Sequence, residues 1–144
     1  MALVHMTFTH GALPISGREA LGRTLGRLAY SAEGFESSRL APELTWTIFD
    51  EKPLGTFATA GEGRDKPLYY VTVMTLAGAL TVETKHVLGS QIAQTLIEAE
   101  GSVTTPDNLA RVWVHFGDII DGDLVVGGES TSLAGLKQLV ARAG

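Results

Sequence analysis

Two residues at the start of the sequence, Met1 and Ala2, offer a chemical group that few positions in a protein can provide. A small second residue favours removal of the initiator methionine, and Ala2 would then present a primary amine with a reference pKa of about 8. A hydrophobic pocket lowers that pKa toward neutrality, where an amine can act as a general base. Ala2 is therefore the predicted catalytic residue. The alternative is that it is an ordinary first residue of a strand.

Arg111 lies inside the apolar segment ARVWVHF, residues 110 to 116. An arginine in such a strand must find an anion, because a buried charge without a partner is costly. Two kinds of anion fit this requirement. One is the carboxylate of a bound ligand, and the other is a carboxylate of the protein itself, such as Asp107 or Glu43.

Several other side chains have both a functional and a structural interpretation. The only two tryptophans, Trp46 and Trp113, line the core or a subunit interface, or they stack on a ligand. His115 can titrate near neutrality in a pocket, or it is a buried histidine with satisfied hydrogen bonds. Carboxylates at predicted strand ends, such as Glu51 and Asp118, activate water in a hydratase or form solvated turns.

The remaining histidines do not form a predicted metal site. His5 and His10 lie five residues apart on one strand and point to opposite faces, and His86 has no ligand four residues further along its helix. The sequence contains no P-loop, nucleotide fingerprint or serine-hydrolase elbow. We therefore predict neither a metal nor a cofactor.

The composition excludes several classes of partner. The 144 residues include 16 acidic and 11 basic ones, and the net charge of -5 disfavours nucleic acid and anionic membrane surfaces. No segment approaches the roughly 20 apolar residues of a membrane span, and the chain contains no cysteine. We expect a soluble, cytoplasmic protein.

The first half is predicted to contain two strands that flank one helix. Its elements are a strand over residues 2 to 9, a helix from Ser16 to about Ser31, a strand over residues 44 to 49, and a glycine-bounded hairpin, GTFATAGE, over residues 55 to 62. The start of the helix is predicted from Ser16 and Glu19, which have the spacing of a capping box.

The second half repeats this order. Its elements are a strand over residues 67 to 76, a helix capped by Thr81 that ends before Gly101, a strand over residues 110 to 116, and a hairpin, GDLVVGGE, over residues 122 to 129. Residues 130 to 144 add an amphipathic C-terminal helix.

An offset of 67 residues relates the two halves. It places Trp46 on Trp113, Phe49 on Phe116, Glu51 on Asp118, Gly55 on Gly122 and Glu62 on Glu129. We therefore predict a single domain, residues 1 to 144. It contains an internal repeat over residues 2 to 62 and 67 to 129, with residues 63 to 66 as a linker.

This pattern predicts an α/β (α+β) fold. Two strands joined by a long helix lie parallel, and two such β-α-β units form a four-stranded sheet with two helices on one face. The other face would remain exposed, although strands such as ALVHMTF are too apolar to contact water. We expect other copies of the chain to cover that face.

The strand, helix, strand and G-x-x-x-x-G-G-E segments together resemble 4-oxalocrotonate tautomerase and the tautomerase superfamily. The resemblance is closest over LTVETKHVLGSQIAQTL, ARVWVHF and GDLVVGGE. Two tandem units resemble the fused members, which include relatives of the chloroacrylic acid dehalogenases and malonate semialdehyde decarboxylase. The resemblance implies the tautomerase/MIF-like fold, a homotrimer of fused chains and a small carboxylate ligand.

The resemblance also shows which catalytic features the sequence lacks. The catalytic group of the family is an N-terminal proline, whereas Ala2 occupies that position here. Pro67 begins the other half, but its nitrogen is an amide that can neither accept nor donate a proton. The arginine that follows the glycine of the first strand in the family is absent after both Gly11 and Gly78.

The remaining family positions are kept only in part. Arg111 matches the arginine of the second strand only with a two-residue gap, since the ungapped positions are Trp46 and Trp113. Phe57 keeps the aromatic residue of the G-x-F motif, and Leu124 replaces it in the second half. The implied pocket is built around Ala2 and Phe57. Its predicted substrate-binding residues are Arg111, Phe57, Trp46 and His115.

Two functions from different classes follow. The first is an enzyme that isomerises, hydrates or dehalogenates small 2-oxo or unsaturated carboxylic acids, with the amine of Ala2 as its base. The second is a non-catalytic trimeric ligand-binding protein that retains only the scaffold.

Overall fold

The computed structural model describes residues 1–62 and 65–144 and contains one mixed sheet with helices on one face. Its elements, in chain order, are β1 (Ala2–Phe8), α1 (Arg18–Ala32), β2 (Trp46–Glu51), β3 (Tyr69–Leu76), α2 (Val82–Glu100), α3 (Pro106–Leu109), β4 (Val112–Ile119), β5 (Val125–Val126), β6 (Glu129–Ser130) and α4 (Leu133–Arg142). Part of the predicted linker, residues 63 and 64, lies outside the described residues.

The four long strands form one sheet in the order β2-β1-β3-β4. β1 runs parallel to β2 and β3 runs parallel to β4, while β1 and β3 in the centre are antiparallel. Each parallel pair is joined by one long helix, as a β-α-β unit requires. The predicted α+β fold of two tandem units is confirmed.

The hydrophobic core lies between this sheet and the two long helices. Every second residue of β1, from Ala2 to Phe8, is buried against them. The helices contribute apolar residues at helical spacing, among them Leu25, Ala29, Leu88, Ile92 and Leu96. Alternation along each strand therefore sends the intervening side chains to the opposite face.

The opposite face of the sheet, called the open face below, is not covered by any part of the chain that the structure describes. It carries Leu3, His5 and Thr7 from β1 and Ile48 from β2. The two tryptophans lie on its edge strands, where Trp46 is 69% exposed and Trp113 is 68% exposed. The tryptophans are thus not part of the core of a single chain, and the expected uncovered apolar surface is present.

The 67-residue offset recurs in the backbone. Turns with positive φ occur at three pairs of glycines: Gly11 and Gly78 (73° and 85°), Gly34 and Gly101 (83° and 88°), and Gly55 and Gly122 (79° and 94°). Each pair follows corresponding elements of the two halves. Because L side chains rarely adopt this conformation, the repeat has kept glycine where the chain must turn.

The start of α1 differs from the prediction. The side chain of Ser16 makes no capping hydrogen bond, because Ile15–Gly17 form a 3-10 turn and Gly17 is the N-cap. A capping side chain needs an extended backbone, which Ser16 lacks inside that turn. Glu19 instead accepts a hydrogen bond from Arg23 at 2.8 Å. The predicted capping box is therefore wrong.

The start of α2 agrees with the prediction. Thr81 accepts a hydrogen bond from the amide of Thr84, and the Thr84 hydroxyl accepts one from the amide of Thr81. The helix ends at Gly101, where φ is 88°. A reciprocal cap and a left-handed glycine therefore set both ends of this helix.

The two predicted hairpins are not equivalent. In the second half, β5 pairs with β6 through Val125 and Val126. In the first half, residues 55 to 62 form turns without strand pairing. The hairpin prediction is thus correct for GDLVVGGE and wrong for GTFATAGE.

Helix α4 packs at the end of the sheet where β1 begins. It starts after Ser132, whose hydroxyl accepts a hydrogen bond from the amide of Gly135. Leu136 and Val140 form a second apolar cluster with Leu76, and the Met1 side chain packs against it. No helix in the described part of the chain is long and apolar enough to cross a membrane.

Candidate functional site

The first candidate site lies where β1 begins. The ammonium group of Met1 donates a hydrogen bond to Glu33 Oε2 at 2.8 Å. Glu33 follows the last turn of α1 and is only 8% exposed. Burial raises the pKa of its carboxyl above the ordinary value, and the Met1 ammonium partly opposes that shift. A buried carboxylate thus meets an amine at the start of the chain.

A pocket of about 340 Å³ lies beside Met1. Leu44 forms one part of its wall, and the β5-β6 hairpin and α4 form the rest. Arg142, in the last turn of α4, brings a guanidinium group to this wall. The pocket therefore combines apolar surface with one cationic side chain, Arg142, and one carboxylate, Glu129.

Ala2 is the next residue after this amine. It is 3% exposed, and its position in β1 is opposite Thr75 of β3. While Met1 is present, the nitrogen of Ala2 is a peptide amide and has no basic lone pair. Trp46 lies opposite Leu3, so its indole is on the open face and not on the side of Ala2.

The second candidate site lies where β3 begins, at the other end of the sheet. Glu100 accepts hydrogen bonds from Arg111 at 2.6 and 2.8 Å. The Arg111 guanidinium also donates to the carbonyl of Pro67 at 2.6 Å, and the Tyr69 hydroxyl donates to Glu100 at 2.7 Å. Arg111 is 3% exposed. Its positive charge is therefore compensated inside the protein.

The titration of this cluster follows from its hydrogen bonds. Burial would raise the pKa of the Glu100 carboxyl, but the donors Arg111, Ser102 and Tyr69 outweigh it and hold that pKa below the ordinary value. Burial and the neighbouring Glu100 carboxylate raise the pKa of the Tyr69 phenol. Glu100 is therefore ionised and Tyr69 is neutral at physiological pH.

A pocket of about 620 Å³ lies next to this cluster. Its wall includes Arg111, and most of its area is apolar or aromatic, from Phe57, Leu68, Tyr69, Tyr70 and Trp113. We call it the β3 pocket. Phe57 reaches it from the turn segment of the first half. Among the described residues of one chain, Phe57 and Ala2 thus lie at opposite ends of the sheet, and Ala2 does not line the β3 pocket.

His115 lies on the open face, between these two ends. Its Nδ1 is 2.7 Å from the hydroxyl of Tyr70, and the ring stands in the same row across the sheet as His5 and Thr72. His5 is 3.7 Å from Asp50. No group of three or more potential metal ligands occurs among residues 1–62 and 65–144.

Sequence reasoning missed the two buried carboxylates. The partner of Arg111 is a carboxylate of the protein, but it is Glu100 and neither Asp107 nor Glu43. Glu33 is not among the residues predicted from the sequence. Both glutamates lie in the tripeptide Ala-Glu-Gly, residues 32 to 34 and 99 to 101, at the same 67-residue offset. That repeated tripeptide is the signal that would have found them.

The comparisons with known proteins agree on the fold. Comparison of the sequence with protein-family models and with curated proteins finds no match. Among solved structures, N1, a member of the cis-3-chloroacrylic acid dehalogenase family, is similar at a TM-score of 0.73 and 16% identity, over 96% of this chain and 90% of that one.

Two further structures are similar over most of both chains. Pt0534, inactivated by 2-oxo-3-pentynoate, has a TM-score of 0.71 and 21% identity, over 89% of this chain and 95% of that one. The R7 fused 4-OT, described as an asymmetric trimer, has a TM-score of 0.69 and 19% identity, over 89% and 94%. This chain therefore has the tautomerase/MIF-like fold in its fused form of two tandem β-α-β units.

Proposed function

We propose that this protein is a tautomerase-type enzyme that moves a proton within small 2-oxo or unsaturated carboxylic acids. The observation that carries the proposal is the amine of Met1, the residue before β1. It lies 2.8 Å from the buried carboxylate of Glu33, and Met1 lines a pocket. Solved structures of the same fold include a dehalogenase-family member and a fused 4-OT, which supports chemistry on small acids.

The catalytic base in this proposal is the amine of Ala2 after removal of Met1. That removal places a primary amine on Ala2, one residue further along the chain than the Met1 amine that contacts Glu33. It also vacates the space of the Met1 side chain, which borders the pocket. In ketonisation the amine takes the proton of the enol hydroxyl and returns it to a carbon at the other end of the enolate, which leaves the carbonyl form.

Arg142 is the proposed anchor for the substrate carboxylate. It lines the pocket, and no ion pair joins it to a carboxylate in the part of the chain that the structure describes. Arg111, by contrast, already pairs with Glu100. The guanidinium group is well suited to bind a carboxylate through two hydrogen bonds. The C-terminal helix would thus supply the cation that is absent after Gly11 and Gly78.

The proposed assembly is a homotrimer whose chains cover one another's open faces. The apolar open face and its two exposed tryptophans support this assembly, because monomeric soluble proteins rarely expose such surfaces. A fused 4-OT of the same fold is described as a trimer. A closed ring of three chains leaves no such face in contact with water.

The test begins with the first residue. Intact mass spectrometry of protein from its native host identifies whether Met1 is removed, and the Met1-free form is then assayed with phenylpyruvate and with 2-hydroxymuconate. We expect ketonisation above the buffer rate for the Met1-free form and not for a form that keeps Met1. No rate above buffer for the Met1-free protein would contradict the proposal.

Two variants with matched controls assign the roles. We expect Glu33→Gln to lower kcat by about tenfold or more, while Glu36→Gln, an exposed carboxylate nearby, leaves it unchanged. We expect Arg142→Gln to raise KM by about tenfold, while Lys137→Gln on the same helix does not. If a variant and its control change kcat or KM equally, the role assigned to that residue is wrong.

A non-catalytic trimeric ligand-binding protein is the second candidate. The observation that favours it is the Met1 side chain, which packs against the apolar cluster that contains Leu136 and Val140 of α4. Native protein that keeps Met1 and shows no ketonisation would support this candidate.

A further inference from the structure

A groove between α1 and β2, called the α1-β2 groove below, has no role in the proposed enzyme function. Its volume is about 810 Å³, and its wall includes three arginines of α1, Arg18, Arg23 and Arg27. The helix approaches the edge strand closely here, because a Cβ at Gly22 would lie 3.3 Å from Phe49 Cε2. Phe49 packs against the core. The groove therefore lies on the helix side of the sheet and not on the open face.

The arginines of this wall are not all neutralised. Arg18 and Arg23 each have a carboxylate partner, at 2.6 and 2.8 Å. Arg27 forms no ion pair with a carboxylate of the described residues. The two residues outside them, 63 and 64, are glycine and arginine and carry no carboxylate. Three guanidinium groups thus have two carboxylate partners, and one positive charge remains.

Two of these arginines, Arg23 and Arg27, are neighbours on the surface of α1. They are four residues apart, a spacing at which like charges repel each other. The partner of Arg23 is Glu19, whose side chain is 89% exposed, and an ion pair in such a position contributes little to stability. An anion held between the two guanidinium groups would relieve the repulsion and form stronger, charge-assisted hydrogen bonds.

The second half contains the equivalent groove without these charges. It lies between α2 and β4, is smaller at about 390 Å³, and includes Gly89 at the position of Gly22. The 67-residue offset places Ser90 and Gln94 at the positions of the two neighbouring arginines. Since both β-α-β units have the same fold, the fold itself does not require arginine at either position.

Polar groups on the strand side of the two grooves differ in the same way. Thr45 and Thr47 line the α1-β2 groove, whereas Val112 and Val114 line the second groove. The Thr47 hydroxyl donates to the carbonyl of Gly22, but the buried hydroxyl of Thr45 has no hydrogen-bond partner among the described residues. Most buried hydroxyls are satisfied. The first groove thus carries more polar groups than its own contacts use.

The charge and spacing of the arginines indicate the class of anion. A phosphate monoester carries a charge of about -1.5 to -2 at pH 7 and has three acceptor oxygens, so one group can accept from both Arg23 and Arg27. A carboxylate has one charge and two oxygens, which suit a single guanidinium group. Tyr30, Pro42 and Phe49 add apolar surface that an organic group can contact.

We propose that the α1-β2 groove binds the phosphate monoester of a small organic molecule. One molecule binds per chain, with its phosphate between Arg23 and Arg27 and its organic group along Phe49. The site shares no residue with the pocket beside Met1. Failure of the proposed enzyme function would leave this inference standing, and the reverse is also true.

Three phosphates test the proposal by isothermal titration of the full-length protein at pH 7.5 and low salt. Phenyl phosphate is a monoester, methyl phenyl phosphate is a diester with one negative charge, and inorganic phosphate has no organic group. We expect one saturable site per chain for phenyl phosphate and affinity weaker by at least about tenfold for the other two. The proposal is wrong if either of them binds as tightly as phenyl phosphate, or if phenyl phosphate shows no saturable binding.

Variants that copy the second half test the role of the arginines. Arg27→Gln and Arg23→Ser introduce the residues that the second unit has at these positions, so the fold should tolerate them. We expect each to weaken phenyl phosphate binding by about tenfold. Arg39→Gln removes an exposed arginine outside the groove and should leave the affinity unchanged. An equal loss in Arg39→Gln and Arg27→Gln would show that the overall charge determines binding, and the proposal would fail.

Arg142→Gln tests whether the probe occupies the pocket beside Met1 instead. We expect phenyl phosphate to bind this variant as tightly as it binds wild type, because Arg142 does not line the α1-β2 groove. Binding that is lost in Arg142→Gln and kept in Arg27→Gln would locate the probe in the pocket beside Met1 and overturn the proposal.

Discussion

The Arg18 guanidinium donates a hydrogen bond to Glu51 Oε1 at 2.6 Å, linking the start of α1 to the end of β2. The same link occurs 67 residues later, where the Lys85 ammonium lies 3.2 Å from Asp118 Oδ1. Both members of the pair have changed type while their charges have been kept. The two β-α-β units thus share an electrostatic connection between helix and strand in addition to their backbone turns.

These two ion pairs give the first prediction. The hydrogen bond from Arg18 holds the pKa of the Glu51 carboxyl below its ordinary value, so the pair stabilises the fold above the unfolded pKa. This contribution is lost as the pH falls through the folded pKa. We expect Glu51→Gln to lower the melting temperature at pH 7 more than Asp118→Asn does, because the Lys85–Asp118 distance is longer than the Arg18–Glu51 distance. We also expect the melting temperature of Glu51→Gln to fall less than that of wild type as the pH is lowered. Thermal unfolding from pH 3 to 7 measures both effects.

The second prediction concerns the buried pair of Glu100 and Arg111. Glu100→Ala leaves the guanidinium buried without its carboxylate, and we expect a loss of about 3 to 5 kcal/mol in the free energy of unfolding. The double variant Glu100→Leu with Arg111→Met removes both charges and should recover most of that loss. Urea unfolding measures the two values. A double variant as unstable as Glu100→Ala would show that packing, and not the unpaired charge, sets the cost.

The third prediction has the opposite pH dependence. Burial raises the pKa of the Glu33 carboxyl, so its folded pKa lies above its unfolded pKa. The stability linked to this group is fully present below the unfolded pKa and is lost as the pH rises through the folded pKa. We expect the unfolding free energy of Glu33→Gln to rise relative to that of wild type as the pH increases from about 4 to 7.

Glu36→Gln is the control for that comparison, because Glu36 is exposed. Its unfolding free energy should follow the wild-type value across the same pH range. A Glu33→Gln profile parallel to wild type would show that Glu33 does not carry a raised pKa.

The fourth prediction tests the role of the open face. Thr72 lies between His5 and His115 in the sheet register, near the middle of this face. Thr72→Glu would bury one carboxylate per chain in the proposed interface, at a cost of several kcal/mol each. We expect light scattering to show a trimer for wild type and a monomer for Thr72→Glu. Gln91→Glu adds the same charge on the exposed side of α2 and should remain trimeric.

The outcome that would contradict the assembly is a wild-type protein that is already monomeric at micromolar concentration. A Thr72→Glu protein that remains trimeric would instead place the interface elsewhere on the chain.

The fold was largely predictable from the sequence, because strand alternation, helix periodicity and glycine positions are local signals. The Thr81 cap and the left-handed turn at Gly101 depend only on neighbouring residues, and both agree with the structure. The start of α1 was not predictable in the same way, since a 3-10 turn before Arg18 removes Ser16 from the capping position.

The candidate sites were predicted less well, because their contacts join residues far apart in the chain. Met1 and Glu33 are separated by 32 positions in the sequence. The turn segment that carries Phe57 belongs to the first half, but it lines a pocket with the start of β3 in the second half. No local pattern indicates which carboxylate Arg111 meets. The repeated Ala-Glu-Gly tripeptide was the one usable signal.

Helix α4 lies outside the repeat and covers only the end of the sheet that holds Met1. The two ends of the sheet therefore differ, although the two β-α-β units are related by a repeat. Substitutions in α4 can alter the end that holds Met1 without changing the end where β3 begins. A fusion partner or affinity tag joined to Met1 would replace the charged amine with an amide and displace it from Glu33. Recombinant material with such an extension would therefore lack the ion pair between the Met1 ammonium and Glu33.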